Sequence, residues 1–258
     1  MKEKALYFLA TAMAVALATV SIAAQSSPPA KPAGTAQSKP AGTQAKPAGS
    51  AAAKPTAPST TYDKALLSPA TLKAQAPAEF DVKFVTTKGE FTMHVTRSWA
   101  PVGADRFYNL VKHHYFDGCA FFRVISGFVA QFGISPYPVV AKAWDNAKIK
   151  DDPVVHHNTP GTVVYAAEQA KNTRTTQLFI NFGDNTRSLD PQGFAPFGEV
   201  TGSGMDVVKQ FYGGYGGDLD QEAITNGGAA YIKSKYPQMD SIKTATIVAP
   251  AAPAKPAQ

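Results

Sequence analysis

The sequence predicts a mainly β fold, an antiparallel barrel with two helices, and three observations carry that expectation. Short segments alternating apolar and polar residues recur from Glu79 onward, turn residues separate them, and only two stretches show helical spacing. In order, Phe80, Val82 and Phe84 alternate with Asp81, Lys83 and Val85, and Lys88-Gly89 turns the chain into Glu90 to Thr96, which makes a hairpin with one buried face. After Ala100-Pro101, the spacing of Ala104, Phe107, Leu110 and Val111 predicts a helix closed by His113-His114. Phe121 to Ile125 and Phe128 to Phe132 read as two strands around a Ser126-Gly127 turn. Further strands are expected at Gly161 to Ala167, Thr176 to Phe182, Phe194 to Val200 and Ser241 to Val248. A second helix is expected from about Gly204 to Tyr212, with Met205, Val208 and Phe211 inward.

Outside this domain the composition changes. Lys2-Glu3-Lys4 precedes an apolar run from Ala5 to Val20 and small residues at Ser21, Ala23 and Ala24, the layout of a secretory signal peptide over residues 1–24. Residues 25–78 form a Lys/Pro/Ala/Gly linker and lead-in. Within it Lys31-Pro32-Ala33-Gly34 recurs at Lys39 and Lys46 without a hydrophobic face to stack. The folded domain is expected over 79–249 and an Ala/Pro tail over 250–258. An exported chain, periplasmic or secreted in a bacterial envelope, follows from the signal layout, without tight membrane association once the segment is cleaved. An uncleaved N-terminal anchor is the alternative.

The net charge of +6 does not indicate a nucleic-acid partner. The surplus comes from Lys2, Lys4, Lys31, Lys39, Lys46, Lys54 and Lys255 against Glu3, and acidic and basic residues balance between Thr61 and Val248. Cys119 is the only cysteine, so no internal disulfide can form, and its burial as a small packed residue is expected.

The run from Phe121 to Gly133 carries the chemistry. It sets Arg123 and Gln131 eight residues apart among aromatic and β-branched residues, so the two could face each other across a hairpin. Such a mixture suits a site that grips an apolar group and polarises an amide. Phe121-Phe122-Arg123 followed by Ser126-Gly127-Phe128-Val129-Ala130-Gln131-Phe132-Gly133 resembles the cyclophilins. Gln177-Leu178-Phe179-Ile180 after Gly161 to Ala166, then Leu189-Asp190 and Phe197-Gly198-Glu199-Val200, continue the resemblance in order.

The resemblance implies a closed eight-stranded antiparallel barrel capped by two α-helices, and a peptidyl-prolyl cis-trans isomerase acting on proline-containing polypeptides with no cofactor and no metal. A monomer is expected. It assigns Arg123 as the catalytic arginine, Gln131 as the residue that binds substrate backbone, and Phe128, Val129, Ala166, Phe179, Leu189 and Phe194 to a proline pocket. Phe121, Phe132 and Phe182 are expected to pack. Two departures stand out: Ser188 falls where many members have tryptophan, and Phe194 falls near the family's histidine position, one residue out of the usual spacing. A weakened pocket wall and weak cyclosporin sensitivity follow from that resemblance. A non-catalytic, chaperone-like module that binds proline segments is the alternative.

Other candidates are weaker. His113-His114 and His156-His157 are adjacent pairs whose side chains diverge rather than converge on an ion. Asp151-Asp152 and Asp218, Asp220, Glu222 suit solvated loops as well as a cation. Gly213 to Gly217 lacks the strand, helix and Lys-Ser/Thr of a phosphate loop and reads as a flexible helix exit. No serine or cysteine sits in a motif that pairs it with a base.

Overall fold

The computed structural model describes residues 61–248, so the signal-like segment, the linker to residue 60 and the tail from residue 249 lie outside the described residues. All eight expected strands form: β1 (Glu79–Thr86), β2 (Glu90–Thr96), β3 (Arg123–Ile125), β4 (Val129–Phe132), β5 (Thr162–Tyr165), β6 (Leu178–Asn181), β7 (Pro196–Val200) and β8 (Ile242–Val248). They make one antiparallel sheet in the order β3-β4-β6-β5-β7-β2-β1-β8. Its two edges meet just before β3, where Ala120 bridges Ser241 and the Phe121 N–H donates to the Asp240 carbonyl at 2.9 Å. One segment therefore joins the start of β8 on one side and then turns into β3, which curls the sheet toward a barrel.

Alternation determines what the sheet encloses. Phe80, Val82 and Phe84 of β1 and Phe91, Met93 and Val95 of β2 point inward and are buried, while their neighbours face out. Phe84 stacks on its register partner Phe91 with ring centroids 4.8 Å apart. Phe121 stacks on Phe211 at 3.9 Å, and Phe132 meets Phe84, Phe116 and Phe121, so Phe121 and Phe132 pack as expected; Phe182 is partly buried against the same core.

Helix α1 (Pro101–Lys112) buries Ala104, Phe107, Leu110 and Val111. Pro101 needs no N–H at the first position, and Asp152 accepts from the N–H groups of Val102 and Gly103 at 3.0 and 2.8 Å. That contact gives Asp152 a capping role.

The helix expected from Gly204 to Tyr212 ends at Val208 (α4, Gly204–Val208). The Tyr212 N–H donates to the Asp240 carboxylate at 2.7 Å instead of continuing the helical ladder. Three helices were not foreseen: α2 (Pro138–Trp144), α3 (Thr186–Leu189) and α5 (Gln221–Lys235). Asp220 caps α5 by accepting from the Ala223 N–H at 2.9 Å, and Gly228, with φ 56° and ψ −148°, kinks it. α5 has its own apolar cluster, in which Ile224 meets Phe122 and Ile134.

Residues 61–78 pack onto the barrel. Leu66 is 1% exposed, and its carbonyl accepts from the Trp144 indole N–H at 2.8 Å.

Candidate active site

Strand register sets Arg123 directly opposite Gln131, and Gln131 opposite Phe179 on the next strand. The expected juxtaposition of Arg123 and Gln131 is therefore a consequence of pairing β3 with β4. An Arg123 Nη1 donates to Gln131 Oε1 at 3.3 Å, and Gln131 Nε2 donates to Gln177 Oε1 at 2.9 Å. Gly133 makes the second contact possible. It takes φ 106°, and a Cβ there would fall 2.4 Å from the Thr176 carbonyl oxygen, so only glycine lets the end of β4 approach the chain entering β6.

Arg123 is half-buried, and among the described residues it makes no ion pair and only the one hydrogen bond. Its guanidinium carbon lies 5.7 Å from the centre of the Phe128 ring. Burial lowers its pKa from the ordinary arginine value, and the negative charge of Asp218 opposes that shift. Most of its donors are thus held in place without a protein acceptor.

Beside this pair lies a small apolar cluster separate from the barrel core. Val129, Val164, Phe179 and Leu189 are buried in it, with Phe128, Ala166 and Phe194 packed at its edge. Every residue expected to line the pocket falls in this one cluster, and Val164 is the addition. Phe179 and Phe194 meet edge to face with centroids 5.7 Å apart. Ser188 offers it no ring: its hydroxyl donates to the Asn185 carbonyl at 3.0 Å.

A buried chain of amides supports the cluster, and sequence reasoning missed it. Asn181 Nδ2 donates to Asn158 Oδ1 at 3.1 Å and to Thr162 Oγ1 at 2.9 Å, while Asn181 Oδ1 accepts from Asn185 Nδ2 at 2.7 Å. Asn185 Nδ2 also donates to the Phe128 carbonyl, and Asn158 Nδ2 to the Phe194 carbonyl. The network therefore grips the backbone of two expected pocket residues. Asp190 anchors it by accepting from the Asn158 N–H and side chain, and it meets His157 Nδ1 at 2.7 Å. Burial alone would raise the Asp190 pKa, but the bonds from Asn158 and His157 outweigh it and hold the carboxyl below its usual range.

Most of the remaining candidates have structural partners. His113 meets Asp63 and His114 meets Asp117, while His156 stacks flat on Trp99 with centroids 3.6 Å apart. Asp151 pairs with Arg174. No group of three or more His, Cys, Asp or Glu side chains among the described residues could hold a metal ion. Gly213 to Gly217 runs beside β3 rather than hanging free: a Cβ on Gly217 would sit 3.4 Å from Arg123 Nε.

A family model described as cyclophilin type peptidyl-prolyl cis-trans isomerase/CLD matches residues 81–226. A peptidyl-prolyl cis-trans isomerase of Acinetobacter baylyi is 34% identical over 143 residues, which cover 54% of this chain and 75% of that protein. Peptidyl-prolyl cis-trans isomerase B of Escherichia coli is 31% identical over 138 residues, covering 51% of this chain and 84% of that one. In fold, a cyclophilin type isomerase of Cryptosporidium parvum aligns with a TM-score of 0.50 at 17% identity, over 67% of this chain and 99% of its own. The chain belongs to the cyclophilin-type peptidyl-prolyl cis-trans isomerases, enzymes that interconvert the two isomers of X-Pro peptide bonds.

Proposed function

We propose that this chain accelerates rotation of X-Pro bonds in exported polypeptides through electrostatic stabilisation of the twisted amide by Arg123. The rotational barrier of about 18–20 kcal/mol for an ordinary peptide bond reflects amide resonance, and for X-Pro the exchange takes tens to hundreds of seconds. Twisting localises a lone pair on the prolyl nitrogen. A fixed cationic donor whose bond strengthens as that pair develops lowers the barrier without covalent chemistry. A single well-placed donor contributes roughly 3–4 kcal/mol, or between a hundred and a thousandfold in rate.

One observation supports this reading most: a guanidinium with unengaged donors stands opposite Gln131 and beside an apolar cluster that contains every expected pocket residue. Phe179, Val129 and Leu189 would hold the proline ring, Phe194 would close one side, and Gln131 would fix the substrate backbone. Arg123 then meets the nitrogen as it pyramidalises. Titrating the full chain with a short Ala-Pro peptide while recording methyl NMR spectra tests the placement. Shifts centred on Val129, Val164 and Leu189 support it, and shifts confined to other faces would remove it.

Export rests on the signal-like residues 1–24. N-terminal sequencing of the protein recovered from cells is expected to begin at Ala24 or Gln25. Recovery of an intact N-terminus in the membrane fraction would favour the anchor instead.

A further inference from the structure

Phe194 stands where the pocket would otherwise be thin, because Ser188 contributes only a small hydroxyl turned toward Asn185. Its backbone is fixed by its own N–H to the Leu189 carbonyl at 3.3 Å and by Asn158 Nδ2 on its carbonyl at 2.8 Å. Those bonds leave the ring free to turn about its side-chain torsions. Besides the apolar cluster that holds Phe179, the ring meets the guanidinium of Arg174, 5.4 Å from its centre.

Arg174 lies between β5 and β6, and its side chain is 8% exposed. A cation removed from water to that degree needs every contact it can make. Nη1 pairs with Asp151, and Nη2 donates to the Gly193 carbonyl at 2.6 Å. Asp151 is held from the same connection, since its N–H donates to Asn172 Oδ1 and its Oδ2 accepts from the Asn172 N–H. Gly193 takes φ 80°, and a Cβ there would meet nothing within 4 Å, so this loop tip has no packing of its own beside Phe194. An ion-pair strut alone would need only a charge. The planar fork is what lets one side chain bind a carboxylate, a loop carbonyl and an aromatic face together.

We propose that Arg174 is a positioning residue, which holds Phe194 and the Gly193 turn as a wall of the proline pocket and so sets how tightly the site grips its substrate; this rests on the pocket reading above. The test measures, by NMR on the full chain, the dissociation constant of an Ala-Pro peptide and the exchange rate at saturation. Arg174→Lys keeps a cation for Asp151 but lacks the planar fork. It is expected to weaken peptide binding on the order of tenfold, with the saturated rate within about twofold of the parent. In a Phe194→Ala background the same substitution is expected to change affinity no further, because the two residues act through one wall. Unchanged affinity in Arg174→Lys, or additive effects in the double variant, would overturn the proposal. If Arg174→Lys does not fold, Arg174→Met with Asp151→Asn removes both charges and takes its place, with the same expected loss. A parent chain that neither binds nor isomerises the peptide removes the pocket reading itself, whereas an active parent with unaffected variants removes only the role of Arg174.

Discussion

Asn181→Leu separates the support of the pocket from the pocket itself. Asn181 is fully buried on β6, and leucine has the same branching and heavy-atom count but neither a donor nor an acceptor. Three hydrogen bonds are lost, to Asn158, Thr162 and Asn185. Asn185 keeps its bond to the Phe128 carbonyl and Thr162 keeps its bond to the Thr159 carbonyl, so each loses one bond of two. Asn158 Oδ1 is left buried with no donor. A stranded acceptor costs about 1–3 kcal/mol and each of the other two bonds about 0.5–1.5 kcal/mol, which gives roughly 2–6 kcal/mol in all. At about 2–4 °C per kcal/mol for a domain of this size, a central loss near 3–4 kcal/mol lowers Tm by roughly 6–16 °C. Urea unfolding of the full chain, followed by tryptophan fluorescence, measures it. Peptide affinity is expected to fall as well, because the network holds the carbonyls of Phe128 and Phe194. A loss below about 1 kcal/mol with unchanged peptide binding would refute the idea that these amides position the site.

Three further outcomes are expected. Asp190 is held below the usual carboxylate range, so the stability it contributes is complete above its unfolded pKa of about 3.9 and is lost as pH falls through the lower folded value; acid titration of Asp190→Asn should show a shallower loss of stability below pH 4 than the parent, and identical profiles would contradict this. Leu66→Ala should cost about 2–5 kcal/mol in urea unfolding, since the side chain is sealed in the core; a neutral result would mean that residues before Glu79 do not belong to the fold. Cyclosporin should bind weakly, and Ser188→Trp should tighten it, whereas tight inhibition of the parent chain would show that the pocket lacks no wall.

The strands were legible where they alternate, as from Phe80 to Phe84, which buries one face, whereas Leu178 to Asn181 is buried on both faces and shows only as a short apolar run. The helices were legible only where they press an apolar stripe on the sheet, as α1 does. α2 begins at Pro138 inside a proline-rich stretch that reads as loop, although proline at a first helical position is also a start signal. α5 combines weak amphipathicity with Asn226, Gly227 and Gly228, and its stability comes from a capping aspartate and from tertiary contacts of Ile224 that no local pattern displays.

The site divides in the same way. Arg123, Gln131 and the cluster around Phe179 could be placed from motif order and hairpin geometry. Asn158, Asn181 and Asn185 could not, because buried amides have no periodicity and all but the Asn181–Asn185 contact join residues distant in sequence. Gln177 carried a signal, standing next to Leu178-Phe179-Ile180, and the structure joins it to Gln131. Arg174 carried none; a surface arginine and a buried one look the same until the loops around them are folded.

The measurement that bears most directly on the central claim is cis-to-trans exchange in a short X-Pro peptide, followed by NMR with the full chain and with Arg123→Ala. The account predicts that the parent accelerates exchange and that the variant, still folded and still binding the peptide, loses on the order of a hundredfold or more. A folded parent that leaves the rate unchanged, or a variant that keeps the parent's rate, would contradict electrostatic isomerisation by Arg123.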